Sequence, residues 1–163
     1  MLQLGKSNST HALLCLHGHT QTASNFRLKL SAVFTNDFLK NVDMMLYIPV
    51  DEWYEYTTND SHDYSRSSLM STRNRIHKIL DLLYRHHRKV LLLGYSQGAS
   101  VAIDILQTYT EYVPTISISG LLLSPDVVLP GESYTMSRFF DFIHGDKDSV
   151  VSVYTEKSSY DSL

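Results

Sequence analysis

Gly94-Tyr95-Ser96-Gln97-Gly98 sets a serine between two glycines, after the apolar run Val90–Leu93 and before a stretch whose apolar residues recur at helical spacing. In that context the Gly-x-Ser-x-Gly pattern reads as a nucleophile elbow. A sharp strand-to-helix turn strains the serine backbone, the glycines keep side chains from colliding, and the hydroxyl stands at the C-terminal edge of a sheet. The helix that follows favours negative charge developing beside its N-terminus. The chemistry this suits is acyl transfer through a serine-bound intermediate, with Ser96 as nucleophile. The competing reading is an idle serine in a glycine-flanked turn.

Two further segments share the strand-then-turn pattern. Leu14-Cys15-Leu16 runs into His17-Gly18-His19-Thr20. A loop in this position can give a backbone N–H to an oxyanion, as can the residue after the nucleophile, so His19 and Gln97 are the candidate donors. His17 as a metal ligand is disfavoured, because no second ligand stands at metal-site spacing. No metal and no cofactor are expected. The second segment is Phe140-Asp141-Phe142-Ile143 followed by His144-Gly145-Asp146-Lys147-Asp148. In the chain order serine, acid, histidine, Asp148 is the candidate acid, which would hold an imidazole in the right tautomer and stabilise its cation. Asp146 is the rival, with a turn-capping role as its other reading. The base is missing from this order, since the last histidine, His144, precedes Asp148. His17 and His144 are the substitutes nearest the expected site, whereas His77, His86 and His87 are expected on a helix surface. A serine without a base is a poor nucleophile at neutral pH.

The elements that would carry these residues follow from apolar spacing. Ala12–Leu16, Met44–Ile48, Val90–Leu93, Ile116–Leu123 and Phe139–Ile143 are short apolar runs that suit strands buried on both faces. Ala23–Phe34, Ser68–His87 and Gln97–Tyr109 are helical candidates. In the longest of these, Leu69, Ile76, Ile79, Leu80 and Leu83 share one face. The alternation predicts a doubly wound α/β fold, with a mainly parallel sheet of about five strands and helices on both faces. Asp51–Arg66 and Pro125–Ser137 read as loops, and Ser149–Leu163 starts like a helix.

The totals exclude several classes. The 163 residues suit one domain spanning 1–163, with 43% hydrophobic residues and a net charge of −3. Arg85-His86-His87-Arg88-Lys89 suits a cation-rich helix C-terminus rather than a nucleic-acid patch. No apolar run approaches the roughly 20 residues that cross a bilayer, and the N-terminus lacks a secretory h-region. The single cysteine, Cys15, lies in an apolar run and reads as a buried thiol. A cytoplasmic location is expected. A nucleotide-binding domain is disfavoured, because neither Gly-x-Gly-x-x-Gly nor a Walker lysine follows any strand.

Leu16-His17-Gly18, Gly94-Tyr95-Ser96-Gln97-Gly98 and His144-Gly145-Asp146-Lys147-Asp148-Ser149-Val150-Val151 together resemble the phospholipase/carboxylesterase family, which includes the acyl-protein thioesterases, within the α/β-hydrolases. The stretch from His17 to Lys29 is also similar to the FSH-type serine hydrolases. The resemblance implies an esterase or thioesterase acting on a small-molecule or acylated-protein substrate, with Ser96 as nucleophile and Asp148 as acid. Pro49-Val50-Asp51-Glu52-Trp53-Tyr54 resembles the family's loop beside the acyl pocket, which makes Trp53 and Tyr95 candidate pocket residues. It also implies a final strand, a catalytic histidine and a closing helix without counterparts here. The expectation is a C-terminally shortened relative that is catalytically weak, or a binding protein on the same scaffold. An unpaired sheet edge would favour a homodimer.

Overall fold

The computed structural model describes residues 1–58, 63–123 and 140–147. Their elements are β1 (Leu2–Gly5), β2 (His11–Leu16), α1 (Ala23–Val33), α2 (Asn36–Asn41), β3 (Met44–Ile48), α3 (Arg66–His86), β4 (Lys89–Tyr95), α4 (Gln97–Thr108), β5 (Thr115–Ile118) and β6 (Phe140–Ile143). The strands form one sheet in the order β1-β3-β2-β4-β5-β6. All neighbours run parallel except β1, which pairs antiparallel with β3. The fold is therefore the expected α/β sheet, with six described strands rather than about five. The added strand, β1, alternates half-buried and exposed residues and, among the described residues, meets the sheet through β3.

Strand residues alternate between two cores. Ala12, Leu14, Leu16, Val90 and Leu92 face α3 and α4, whose Leu69, Ile76, Leu80, Val101 and Ile105 complete one cluster. Leu13, Cys15, Leu46, Ile48 and Leu93 face the other way, onto Ala23, Phe26 and Leu30 of α1 and Leu39 of α2. Burial on both faces explains the unbroken apolar runs. A fully buried Leu or Ile, such as Leu14, Leu92 or Ile76, contributes about 1.5–3 kcal/mol relative to exposure. Cys15 is wholly buried, and that burial pushes its thiol pKa well above the usual range.

α3 begins two residues earlier than the apolar pattern implied, because Ser65 caps it by accepting from Ser68 N at 3.3 Å. Its last turn carries Arg85 and His86, as a helix C-terminus favours. His87 departs from the expected surface position. It is buried at the C-cap, its Nδ1 donates to Ser9 O, and its Nε2 accepts from Tyr47 Oη, both at 2.8 Å. β5 ends at Ile118 rather than near Leu123, since Ser119 takes φ 54°. The amide of Leu121 then turns back to donate to Ser100 Oγ at 2.8 Å.

The register brings four strand ends to one edge. Leu16 pairs with Gly94, Tyr95 with Ile118, and Ile118 with Ile143. The residues just beyond these ends, His17, Ser96, Ser119 and His144, therefore share the C-terminal edge of the sheet. Among the described residues, no helix is long and apolar enough to cross a membrane.

Candidate active site

Ser96 stands between the last residue of β4 and the first of α4, with φ 54° and ψ −122°. A serine at positive φ is strained and persists only where its surroundings over-determine it. Here they do. Ser96 N donates to Ile118 O at 2.8 Å, continuing the ladder to β5, while Ser96 O accepts from Ala99 N at 2.8 Å to start the helix. The hydroxyl makes no capping bond to α4. It is thus uncommitted to the helix whose positive end it occupies.

The flanking glycines are required by close approach. A Cβ on Gly94 would come 2.4 Å from Gly98 O, and one on Gly98 would come 2.4 Å from Leu16 O. No side chain fits between α4 and the ends of β2 and β4. Gly18 lies across from the elbow, where a Cβ would sit 3.3 Å from Ser96 Cβ. Its amide donates to Gln21 Oε1 at 3.0 Å, and its carbonyl accepts from Gln21 N at 3.3 Å, which closes a tight turn.

A cavity of about 200 Å³ opens beside this turn, lined by Gly18, His19, Glu52, Trp53, Gln97 and their neighbours. Three candidates, His19, Gln97 and Trp53, thus meet at one cavity flanking Ser96. The His19 ring is exposed and packs edge-on against Tyr56 at 5.1 Å. Trp53 is buried, with its indole Nε1 donating to His17 O at 2.7 Å. Tyr54 packs into the core, and burial pushes its phenol pKa well up. Tyr95 lies elsewhere. It stacks on Phe26 at 6.3 Å and lines an apolar groove of about 380 Å³ beside α1, with Leu30, Val33, Phe34 and Leu93.

The histidines and acids are placed as follows. The His17 ring is buried against Trp53 at 4.9 Å and Phe26 at 6.4 Å. Its Nδ1 lies 2.9 Å from Gly18 O and must be the protonated nitrogen, because a carbonyl only accepts. The remaining lone pair, on Nε2, is buried without a partner, so it makes no hydrogen bond to Ser96. His144 follows β6, two strands from the elbow. Asp146 is exposed in the turn beyond it. Asp148 lies outside the described residues, as do Pro125–Ser137 and the Ser149–Leu163 tail. No group of side chains suited to a metal ion occurs among the described residues.

Several side-chain contacts that shape the site carried no clear sequence signal. Thr72 Oγ1 donates to Trp53 O at 2.7 Å, Arg75 Nη2 donates to Glu52 O, and Gln97 Nε2 donates to Tyr54 O at 2.8 Å. The available hint was Thr72 itself, a hydroxyl on the apolar face that runs from Leu69 to Ile76.

A family model described as phospholipase/carboxylesterase matches residues 3–163. No curated protein matches the chain at significance. Solved structures do. A phospholipase/carboxylesterase from Dyadobacter fermentans superposes with a TM-score of 0.73 at 20% identity, covering 99% of this chain and 79% of that one. Zea mays acyl-protein thioesterase 2 gives 0.72 at 14% identity, covering 99% and 82%. Esterase PE8 gives 0.69 at 20% identity, covering 99% and 81%. At these identities the superpositions speak to the fold.

Proposed function

The chain belongs to the phospholipase/carboxylesterase family, a family of esterase- and thioesterase-type hydrolases, and from that premise we propose that Ser96 forms its acyl-enzyme. The observation that carries this reading is the strained Ser96 backbone between β4 and α4, which leaves the hydroxyl uncommitted to capping.

With an imidazole beside it, Ser96 Oγ attacks the carbonyl carbon of an ester or thioester in the proposed reaction and passes its proton to that ring. The resulting oxyanion accepts hydrogen bonds from the main-chain N–H groups of His19 and Gln97, aided by the α4 N-terminus. The bond to the leaving oxygen or sulfur breaks, and that atom takes the proton from the imidazolium. Water then attacks the acyl group, its proton passing to the imidazole and on to Ser96 Oγ as the acid departs. Asp148 is the acid that orients the imidazole. Trp53 and Tyr95 would flank the acyl part from the two sides of the elbow. The substrate is an acyl ester or thioester carried by a small molecule or a protein.

The 163 residues hold no histidine after Asp148, and Nε2 of His17 is buried without a hydrogen-bond partner. The reading therefore expects slow turnover by this chain. Hydrolysis of a short-chain aryl ester and an acyl thioester, beside the Ser96→Ala variant, tests the reading. Slow release lost in Ser96→Ala supports the esterase. A rate equal in both proteins contradicts it.

A further inference from the structure

Gln97 faces the site in two ways. Its backbone amide opens α4 beside Ser96, while its side chain is 4% exposed and donates through Nε2 to Tyr54 O at 2.8 Å. That carbonyl belongs to a segment without regular structure between β3 and α3, pegged at successive residues. Arg75 donates to Glu52 O, Thr72 Oγ1 donates to Trp53 O at 2.7 Å, and Ser68 Oγ accepts from Glu55 N at 3.0 Å. Those three pegs come from α3, whereas Gln97 supplies one from the elbow itself. The segment in turn reaches the opposite loop, where Trp53 Nε1 donates to His17 O at 2.7 Å and its ring packs on the His17 imidazole at 4.9 Å. The next residue, Gly18, approaches Ser96. The contacts thus close a ring from Gln97 through Tyr54 and Trp53 to His17-Gly18, and back to the elbow.

We propose that the Gln97 side chain is a positioning residue: by holding Tyr54 it seats the Trp53 indole on His17 and fixes the Gly18-His19 turn against the Gln97 amide. This rests on the reading above that these amides receive the oxyanion. An oxyanion site works through donors already in place, so a loose turn loses rate more than binding. The chemistry requires an amide here. Glutamate has the same shape but as a carboxylate cannot donate to Tyr54 O, and methionine fills the volume with no donor.

The test uses the 163-residue chain, which carries a single tryptophan, Trp53. Its fluorescence therefore reads the clamp without any need for turnover. Wild type, Gln97→Met and Gln97→Glu are compared by acrylamide quenching and by the rate and final extent of fluorophosphonate labelling. Gln97→Met is expected to raise quenching and to slow labelling about tenfold or more while reaching the wild-type extent. Partial unfolding would lower the extent instead. Gln97→Glu should show raised quenching at neutral pH that returns towards wild type as its carboxyl protonates, because the acid O–H can donate to Tyr54 O. Pure space-filling also allows that return, because a buried carboxylate is costly until it is protonated, so Gln97→Leu, apolar and without a donor, repeats the quenching and labelling comparison should Gln97→Met not fold. Wild-type quenching and labelling rate in Gln97→Met would overturn the proposal and leave Ser96 as nucleophile. A wild-type chain that never labels would overturn that functional reading, and quenching would still decide the clamp.

Discussion

A Cβ placed on Gly98 would come within 2.5 Å of the His17 carbonyl oxygen. The helix that carries the elbow is thus wedged against the loop that faces it, with backbone on both sides. Gly98→Ala should destabilise the fold by about 1–3 kcal/mol, the usual cost of overpacking, since neither backbone can move aside as a flexible side chain could. Urea unfolding measures it. A variant as stable as wild type would mean that the wedge is looser than described.

Arg73 grips Asp104 through two hydrogen bonds, Nε to Oδ2 at 2.8 Å and Nη2 to Oδ1 at 2.6 Å. Asp104 is fully buried on α4, so this pair joins α3 to the elbow helix. Arg73→Ala should cost about 3–5 kcal/mol, because it leaves a buried carboxylate without its cation. Combining it with Asp104→Leu should recover part of that loss. Stability of the four proteins in urea gives the cycle, and a loss under about 1 kcal/mol would place the pair with weakly contributing surface bridges.

His77 lies on α3 against Tyr109 at 5.1 Å and Thr108 Oγ1 at 3.3 Å. Burial first, and then the nearby Arg73 charge, lowers its pKa below the usual histidine value of about 6.5, against smaller opposing effects of Asp104 and Asp81. A depressed histidine favours the neutral form in the fold. Its contribution is present above the unfolded-state pKa and is lost as pH falls through that value towards the folded one. Stability should therefore decline as pH drops below about 6.5, and His77→Gln should flatten that part of the profile. Thermal unfolding between pH 7.5 and 5 measures both. An unchanged slope in the variant would contradict the assignment.

Trp53→Phe keeps a ring in the cavity wall but removes the N–H that reaches His17 O. Leaving that buried carbonyl unpaired should cost about 1–3 kcal/mol, read by urea unfolding. A loss no larger than a few tenths would show that another donor takes over.

The strands β2, β3 and β4 were legible because both their faces are covered, which makes the sequence locally apolar without interruption. β1 was not, since half of its four residues are exposed. α2, six residues with Leu39 as its buried contact, is too short to show a period. At the site, Ser96 was legible because the strand, the turn and the helix that hold it follow one another in the chain, and Gly94 is dictated by Gly98 and Ala99 just beyond it. The pegging of Glu52–Glu55 was not, because Trp53 O meets Thr72 19 positions away and Tyr54 O meets Gln97 43 positions away. Such pairings depend on how α3 and α4 dock on the sheet, which local spacing does not encode.

The 163-residue chain should hydrolyse an aryl ester several powers of ten more slowly than an enzyme with a complete serine–histidine–acid set, retaining what the oxyanion site and binding supply. His144→Ala should change that residual rate little. Robust turnover that disappears in this variant would identify His144 as a working base.

The most direct measurement is the intact mass of the folded chain after exposure to a fluorophosphonate, with the adduct mapped by peptide analysis. A single adduct on Ser96, absent from Ser96→Ala, is the predicted result. A folded wild-type chain that stays unmodified, or an adduct that persists in Ser96→Ala, would contradict Ser96 as the nucleophile.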